Sequence, residues 1–134
     1  DYYGADCDVL APCAIGGIIN ERTIGKIKAP IIAGAANNQL DDEESDSARL
    51  VEAKITYAPD YVINAGGLIN VYAELKQLPA SQAMRQATNI FDTVKRVINL
   101  AQEQKMTSIE ASNQIAEERI ELVSRLQRLR SPTQ

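Results

Sequence analysis

Hydrophobic patterning changes abruptly near residue 60, and that change constrains the fold more than any other feature of the 134-residue sequence. Before it, short apolar runs alternate with polar stretches: Cys7-Asp8-Val9-Leu10-Ala11, Pro30-Ile31-Ile32-Ala33-Gly34 and Ile55-Thr56-Tyr57-Ala58. Each is too short for a helix and suits a buried strand. Helices are expected between them, over 21–27 and 47–54, the second preceded by an acidic stretch at 41–46 that reads as solvated loop and helix cap. Strand, helix, strand, helix, strand is the grammar of a parallel α/β sheet.

After residue 60 the period becomes helical. Residues 80–104 place Ala83, Met84, Ala87, Ile90, Phe91, Val94, Val97, Ile98 and Ala101 on one stripe at steps of three and four. Pro79 fits the first turn of that helix. Thr107-x-x-Glu110 reads as a capping box opening a last helix, whose stripe includes Ile109, Ile115, Ile120, Leu122, Val123 and Leu126. Arg125, Arg128 and Arg130 near its end suit the negative pole of a helix.

Composition narrows the function. A chain that is 45% hydrophobic and 24% charged suits a soluble globular domain. The net charge of -4 repels a polyanion, so no nucleic-acid partner is expected. No apolar run approaches the roughly 18 residues of a membrane helix, and no secretory leader opens the chain, so no membrane partner and a cytoplasmic location are expected. The sequence has no histidine, which removes Ser-His-Asp catalysis and every histidine-containing zinc set. Cys7 and Cys13 are too few for zinc, so no metal is expected. They read as two small buried thiols in a reducing compartment, with a disulfide or redox pair as the alternative.

Open α/β sheets bind ligands at the carboxyl ends of their strands. At those ends stand Ala11-Pro12-Cys13-Ala14-Ile15-Gly16-Gly17, then Gly34-Ala35-Ala36-Asn37-Asn38-Gln39, then the stretch from Pro59 through Asn64, Gly66 and Gly67 to Val71. Each exchanges bulky strand residues for small ones and amides, as needed where a flat ligand approaches the backbone closely and is hydrogen-bonded without charge. A Gly-Gly pair in a helical run serves helix packing as readily as ligand contact, and the two readings stay open at Gly66-Gly67.

The strings Ala-Pro-Cys-Ala (11–14), Ala-Gly-Ala-Ala-Asn-Asn-Gln-Leu (33–40) and Ala-Pro-Asp-Tyr-Val-Ile-Asn-Ala-Gly-Gly-Leu-Ile-Asn-Val (58–71) carry a family resemblance. They look like the cofactor-domain half of the leucine, phenylalanine, valine and tryptophan dehydrogenases. The likeness extends to Ala116-Glu117-Glu118-Arg119-Ile120 in the last helix. It implies the second half of a Rossmann-type doubly wound parallel sheet followed by C-terminal helices. On that reading residues 1–76 are a partial NAD(P)-binding domain, with strands four to six and a ligand-side helix, and 77–134 are its helical C-terminal segment. It also implies oxidative deamination, in which an L-amino acid passes hydride to NAD and the imino acid hydrolyses to a 2-oxo acid and ammonia, in a homo-oligomeric enzyme.

Carried over residue by residue, Ala11, Pro12, Cys13 and Ala14 match the wall beside the dinucleotide. Asn38 and Asn64 match asparagines at the nicotinamide side, Asn64 also touching substrate. Gly67, Leu68 and Val71 match positions that face the substrate. In glutamate dehydrogenases the last is a polar residue holding the distal carboxylate. Valine there leaves such a charge unpaired, so an apolar branched-chain or aromatic substrate is implied. The family's glycine-rich dinucleotide fingerprint and its catalytic lysine and aspartate are not found in the 134 residues. The expectation is therefore a C-terminal fragment, inactive alone, exposing a sheet edge. A stand-alone, non-catalytic nucleotide-binding or assembly module derived from the same fold is the alternative.

Overall fold

The computed structural model describes residues 2–130, with side chains described through residue 128; Asp1, residues 131–134 and the expected capping role of Arg130 lie outside the described residues. Three two-residue strands, β1 (Val9–Leu10), β2 (Ile31–Ile32) and β3 (Thr56–Tyr57), form a sheet in the order β1-β2-β3. Both pairings are parallel and in step, Val9 with Ile31 and Thr56, Leu10 with Ile32 and Tyr57. The strands are shorter than the apolar runs that announced them. Pro12 and Pro30 flank the pairing and have no N–H to donate to a ladder, although the Pro30 carbonyl still accepts from the Thr56 N–H at 2.9 Å.

α1 (Glu21–Ile24) connects β1 to β2 and α2 (Glu43–Glu52) connects β2 to β3. α1 is shorter than expected, set by a capping box in which the Asn20 side chain and Thr23 bond reciprocally. α2 begins four residues before the expected 47, because the Asp42 carboxylate accepts from the Ser45 N–H at 2.8 Å and starts the helix inside the acidic stretch. Within the helix the buried Asp46 carboxylate takes an N–H from Asp42 at 2.9 Å and the Arg49 guanidinium at 2.8 Å.

Ile19, Ile24, Ile32, Leu40, Leu50, Ile55, Tyr57 and Ile109 form the core, so the last helix contributes to the same cluster as the sheet. The strand row Leu10-Ile32-Tyr57 faces this core, while Val9 and Ile31 on the opposite face are exposed.

Helices fill the remainder: α3 (Asp60–Ile63), α4 (Gly66–Leu75), α5 (Ala80–Gln104) and α6 (Ser108–Arg130). α5 has the expected bounds, with Pro79 at its N-cap rather than in its first turn. It packs on α3, α4 and α6. The expected capping box opens α6: Glu110 accepts from the Thr107 N–H at 2.8 Å and Thr107 Oγ1 from the Glu110 N–H at 3.1 Å. The stripes of α5 and α6 are only partly used. Val97 and Ile109 are buried, whereas Met84, Phe91, Ile120, Leu122, Val123 and Leu126 are exposed, because α6 meets the core only near its start.

Candidate functional site

The loops after β1, β2 and β3 are tied together at the carboxyl edge of the sheet. The Ala36 N–H donates to the Pro12 carbonyl at 2.9 Å, and the Gly17 N–H to the Asn38 carbonyl at 2.7 Å. Ile19 and Gln39 bond at 3.0 Å, extending the parallel pairing as a bridge between Ile19 and Leu40. The third loop joins through side chains, the Asn64 amide donating to Asn37 Oδ1 at 2.6 Å. Two glycines allow the approach. A β-carbon on Gly34 would fall on the Pro12 backbone, and one on Gly16 would stand 2.7 Å from the carbonyls of both Asn37 and Asn38.

Asn38 itself takes a left-handed backbone, φ 51°, a conformation asparagine tolerates better than most residues. Its side chain is exposed, as are Ala11, Cys13 and Ala14, while Pro12 is buried against Gly34. Asn64 is half-buried at the C-terminus of α3. The edge therefore presents small residues and two amides, with the backbone close beneath them. A neutral, flat group that needs amide hydrogen bonds fits such a surface.

α4 rises from this edge. Gly66 and Gly67 have open space where a β-carbon would stand, so neither is required by helix packing within the described residues. Leu68 is 75% and Val71 51% exposed, one turn apart on the same side of α4. No charged residue occurs from Tyr61 to Ala73, so this part of the surface is apolar and amide-bearing throughout.

Cys7 and Cys13 are exposed free thiols, not buried ones, because strand β1 is too short to draw either into the sheet. An apolar cleft of about 370 Å³ among Leu50, Val51, Ile55, Ile98 and Ala101 contains none of the expected site residues.

Asn37, which orients Asn64, and Gln39, which orders the second loop, are not singled out by the sequence. Gln39 is fully buried, and its Nε2 donates to the carbonyls of Gly34 at 2.7 Å and Ala36 at 2.9 Å. In the sequence Gln39 directly follows Asn37 and Asn38, and nothing there sets it apart from them.

Residues 2–128 match the family model described as glutamate/leucine/phenylalanine/valine dehydrogenase. The chain is 49% identical to an L-tryptophan dehydrogenase of Nostoc punctiforme over 90% of its length and 34% of that protein's. It is 45% identical to the leucine dehydrogenase of Geobacillus stearothermophilus, over 98% of this chain and 35% of that one. It thus spans about a third of the length of the curated relatives it matches. The crystal structure of the Nostoc punctiforme L-tryptophan dehydrogenase superposes with a TM-score of 0.89 over 92% of this chain and 37% of that one, at 49% identity.

Proposed function

The chain belongs to the glutamate/leucine/phenylalanine/valine dehydrogenase family, and from that premise we propose that it forms the cofactor-facing part of an NAD-dependent L-amino acid dehydrogenase acting on apolar amino acids. The reaction is oxidative deamination to the 2-oxo acid and ammonia. The observation that carries the reading is the continuity of the surface: the Asn38 and Asn64 amides, the open Gly66-Gly67 turn, then exposed Leu68 and Val71 without a charge among them.

The residues present suit a dinucleotide. Ala11, Cys13 and Ala14 leave a low exposed shelf over the buried Pro12, and a β-carbon at Gly67 would meet nothing. NAD, when bound, supplies the hydride acceptor. The protein's part is to position and to select. Asn37 holds the Asn64 amide in one orientation through its 2.6 Å bond, so less freedom is lost when that amide engages a ligand. Leu68 and Val71 supply an apolar wall for the substrate side chain. A distal carboxylate placed there would lose its water and gain no partner. The branched-chain and aromatic relatives are consistent with such a wall.

Hydride transfer also requires the substrate's reacting carbon to be held against the cofactor by groups on both sides. The lysines of this chain, Lys26, Lys28, Lys54, Lys76, Lys95 and Lys105, lie outside the three strand-end segments. On this reading the 134-residue segment is inactive by itself, and the proton-transfer groups belong to another part of the protein. Fluorescence titration with NADH tests the cofactor assignment. Saturable binding, weakened roughly tenfold in Asn64→Ala for the loss of a buried hydrogen bond, is expected. Binding that Asn64→Ala and Asn38→Ala both leave intact would remove the dinucleotide from this edge.

A further inference from the structure

A second cleft, about 200 Å³, lies beneath the Asn38 loop and is lined by Gln39, Asp41, Glu43, Tyr57 and Asp60 among others. Of its lining residues only Asn38 enters the dehydrogenase reading. Gln39 Nε2 is fixed by two carbonyl acceptors, at 2.7 and 2.9 Å. The reversed amide would set oxygen against oxygen, so the orientation is determined. Among the described residues, Gln39 Oε1 is then left buried without a hydrogen-bond partner, and the hydroxyl of Tyr57, a residue only 4% exposed, finds no acceptor for its proton, with only the Asp60 backbone beside its oxygen. Asp60, 6% exposed, lines the same space.

Buried polar groups in native proteins are almost always partnered, because the alternative costs several hydrogen bonds' worth of solvation. Here acceptors predominate. Gln39 Oε1 and the carboxylates of Asp60 and of the exposed Glu43 and Asp41 only accept, while the Tyr57 hydroxyl donates one bond and accepts others. No lysine or arginine among the described residues lines the cleft. Among the described residues, none of the three carboxylates forms an ion pair. Burial, and then the Asp60 carboxylate, push the Tyr57 phenol far above its ordinary value, so it remains a neutral hydroxyl.

A surplus of acceptors and negative charge calls for a cation. The described residues contain no group of three or more acidic or sulfur ligands spaced to hold a metal ion, which disfavours a divalent ion with its compact oxygen shell. A cation that bridges well-separated acceptors through N–H groups fits instead. We propose that this cleft is a binding site for a small ammonium-type cation, either ammonium itself or the head of a primary amine, held by Gln39 Oε1, the Tyr57 hydroxyl and the Asp60 carboxylate. The site stands whether or not the dehydrogenase reading does.

The test is thermal denaturation of the full-length protein in ammonium, methylammonium and tetramethylammonium chlorides at constant ionic strength. The first two donate hydrogen bonds and the third does not. A saturable rise in midpoint with ammonium, methylammonium or both, absent with tetramethylammonium, is expected, the two arms distinguishing the free ion from an amine. Asp60→Asn should weaken the response at least roughly tenfold. Should that variant not fold, Glu43→Gln at the exposed rim and Tyr57→Phe, which removes one oxygen, give the same reading with smaller losses. An equal response to all three salts, no response to any, or a response that these variants leave unchanged overturns the proposal.

Discussion

Gly34 shows how closely single residues are constrained at the sheet edge. Any β-carbon there meets the backbone of Pro12, which cannot move without disturbing the loop after β1. Gly34→Ala should lower stability by about 1–3 kcal/mol, as overpacking does, read from the midpoint of urea unfolding; an unchanged midpoint would refute the close approach. Asp46 is a second such position. Its buried carboxylate joins the Asp42 N–H to Arg49, and Asp46→Ala should cost about 1.5–3 kcal/mol in the same measurement. Asp42 makes a statement about pH. The Ser45 backbone N–H, and then the Ser45 hydroxyl, hold its carboxyl below the usual aspartate range in the folded protein. Its contribution is therefore present above the unfolded value of about 4 and is lost as pH falls through the folded one. The stability difference between wild type and Asp42→Asn should be level near neutrality and shrink below about pH 4; a difference that grows on acidification would contradict the assigned hydrogen bonds. Asn38 and Asn64 were legible as edge residues from the sequence, since small residues and amides replace bulky ones at each strand end. Asn37 and Gln39 were not, because their roles depend on bonds to side chains and carbonyls that only the folded loops bring near.

The helices follow their local signals more faithfully than the strands do. α5 keeps its expected bounds because twenty-five residues of 3.6 periodicity outweigh any single position, and α6 opens where Thr107 and Glu110 cap it. The strands contract to two residues each, since strand length depends on neighbours that composition cannot reveal. The acidic stretch at 41–46, expected as solvated loop and helix cap, does cap α2 through Asp42, but most of it lies inside the helix and Asp46 is buried rather than solvated. Between α5 and α6 the chain turns at Lys105, which caps α5 in a left-handed conformation at φ 55°. Glycine adopts that conformation at no steric cost, so Lys105→Gly should raise stability by about 0.5–1 kcal/mol. Loss of stability in that variant would show that the lysine side chain matters more than its backbone.

At the scale of the whole molecule, one face of the sheet and much of α4, α5 and α6 remain uncovered. Val9, Ile31, Leu75, Met84, Phe91 and Leu122 are all exposed. Parallel sheets are normally covered on both faces. The 134-residue segment alone should accordingly bind a hydrophobic dye or self-associate, and Phe91→Gln with Met84→Gln should reduce that binding; a segment that stays monomeric and dark to the dye would show that these faces need no cover. The fold class was legible because the alternation of short apolar runs and helices permits few sheets, and the gathering of the candidate edge because three strand ends share one composition. What covers the exposed faces was not legible, since an apolar stripe looks the same whether it meets its own chain or another. The most direct test of the central claim is NAD reduction by the full-length protein at alkaline pH, with leucine, valine, phenylalanine, tryptophan and glutamate offered separately. Turnover with one or more of the apolar amino acids and none with glutamate is the predicted result, whereas turnover with glutamate alone, or with none of the five, would contradict it.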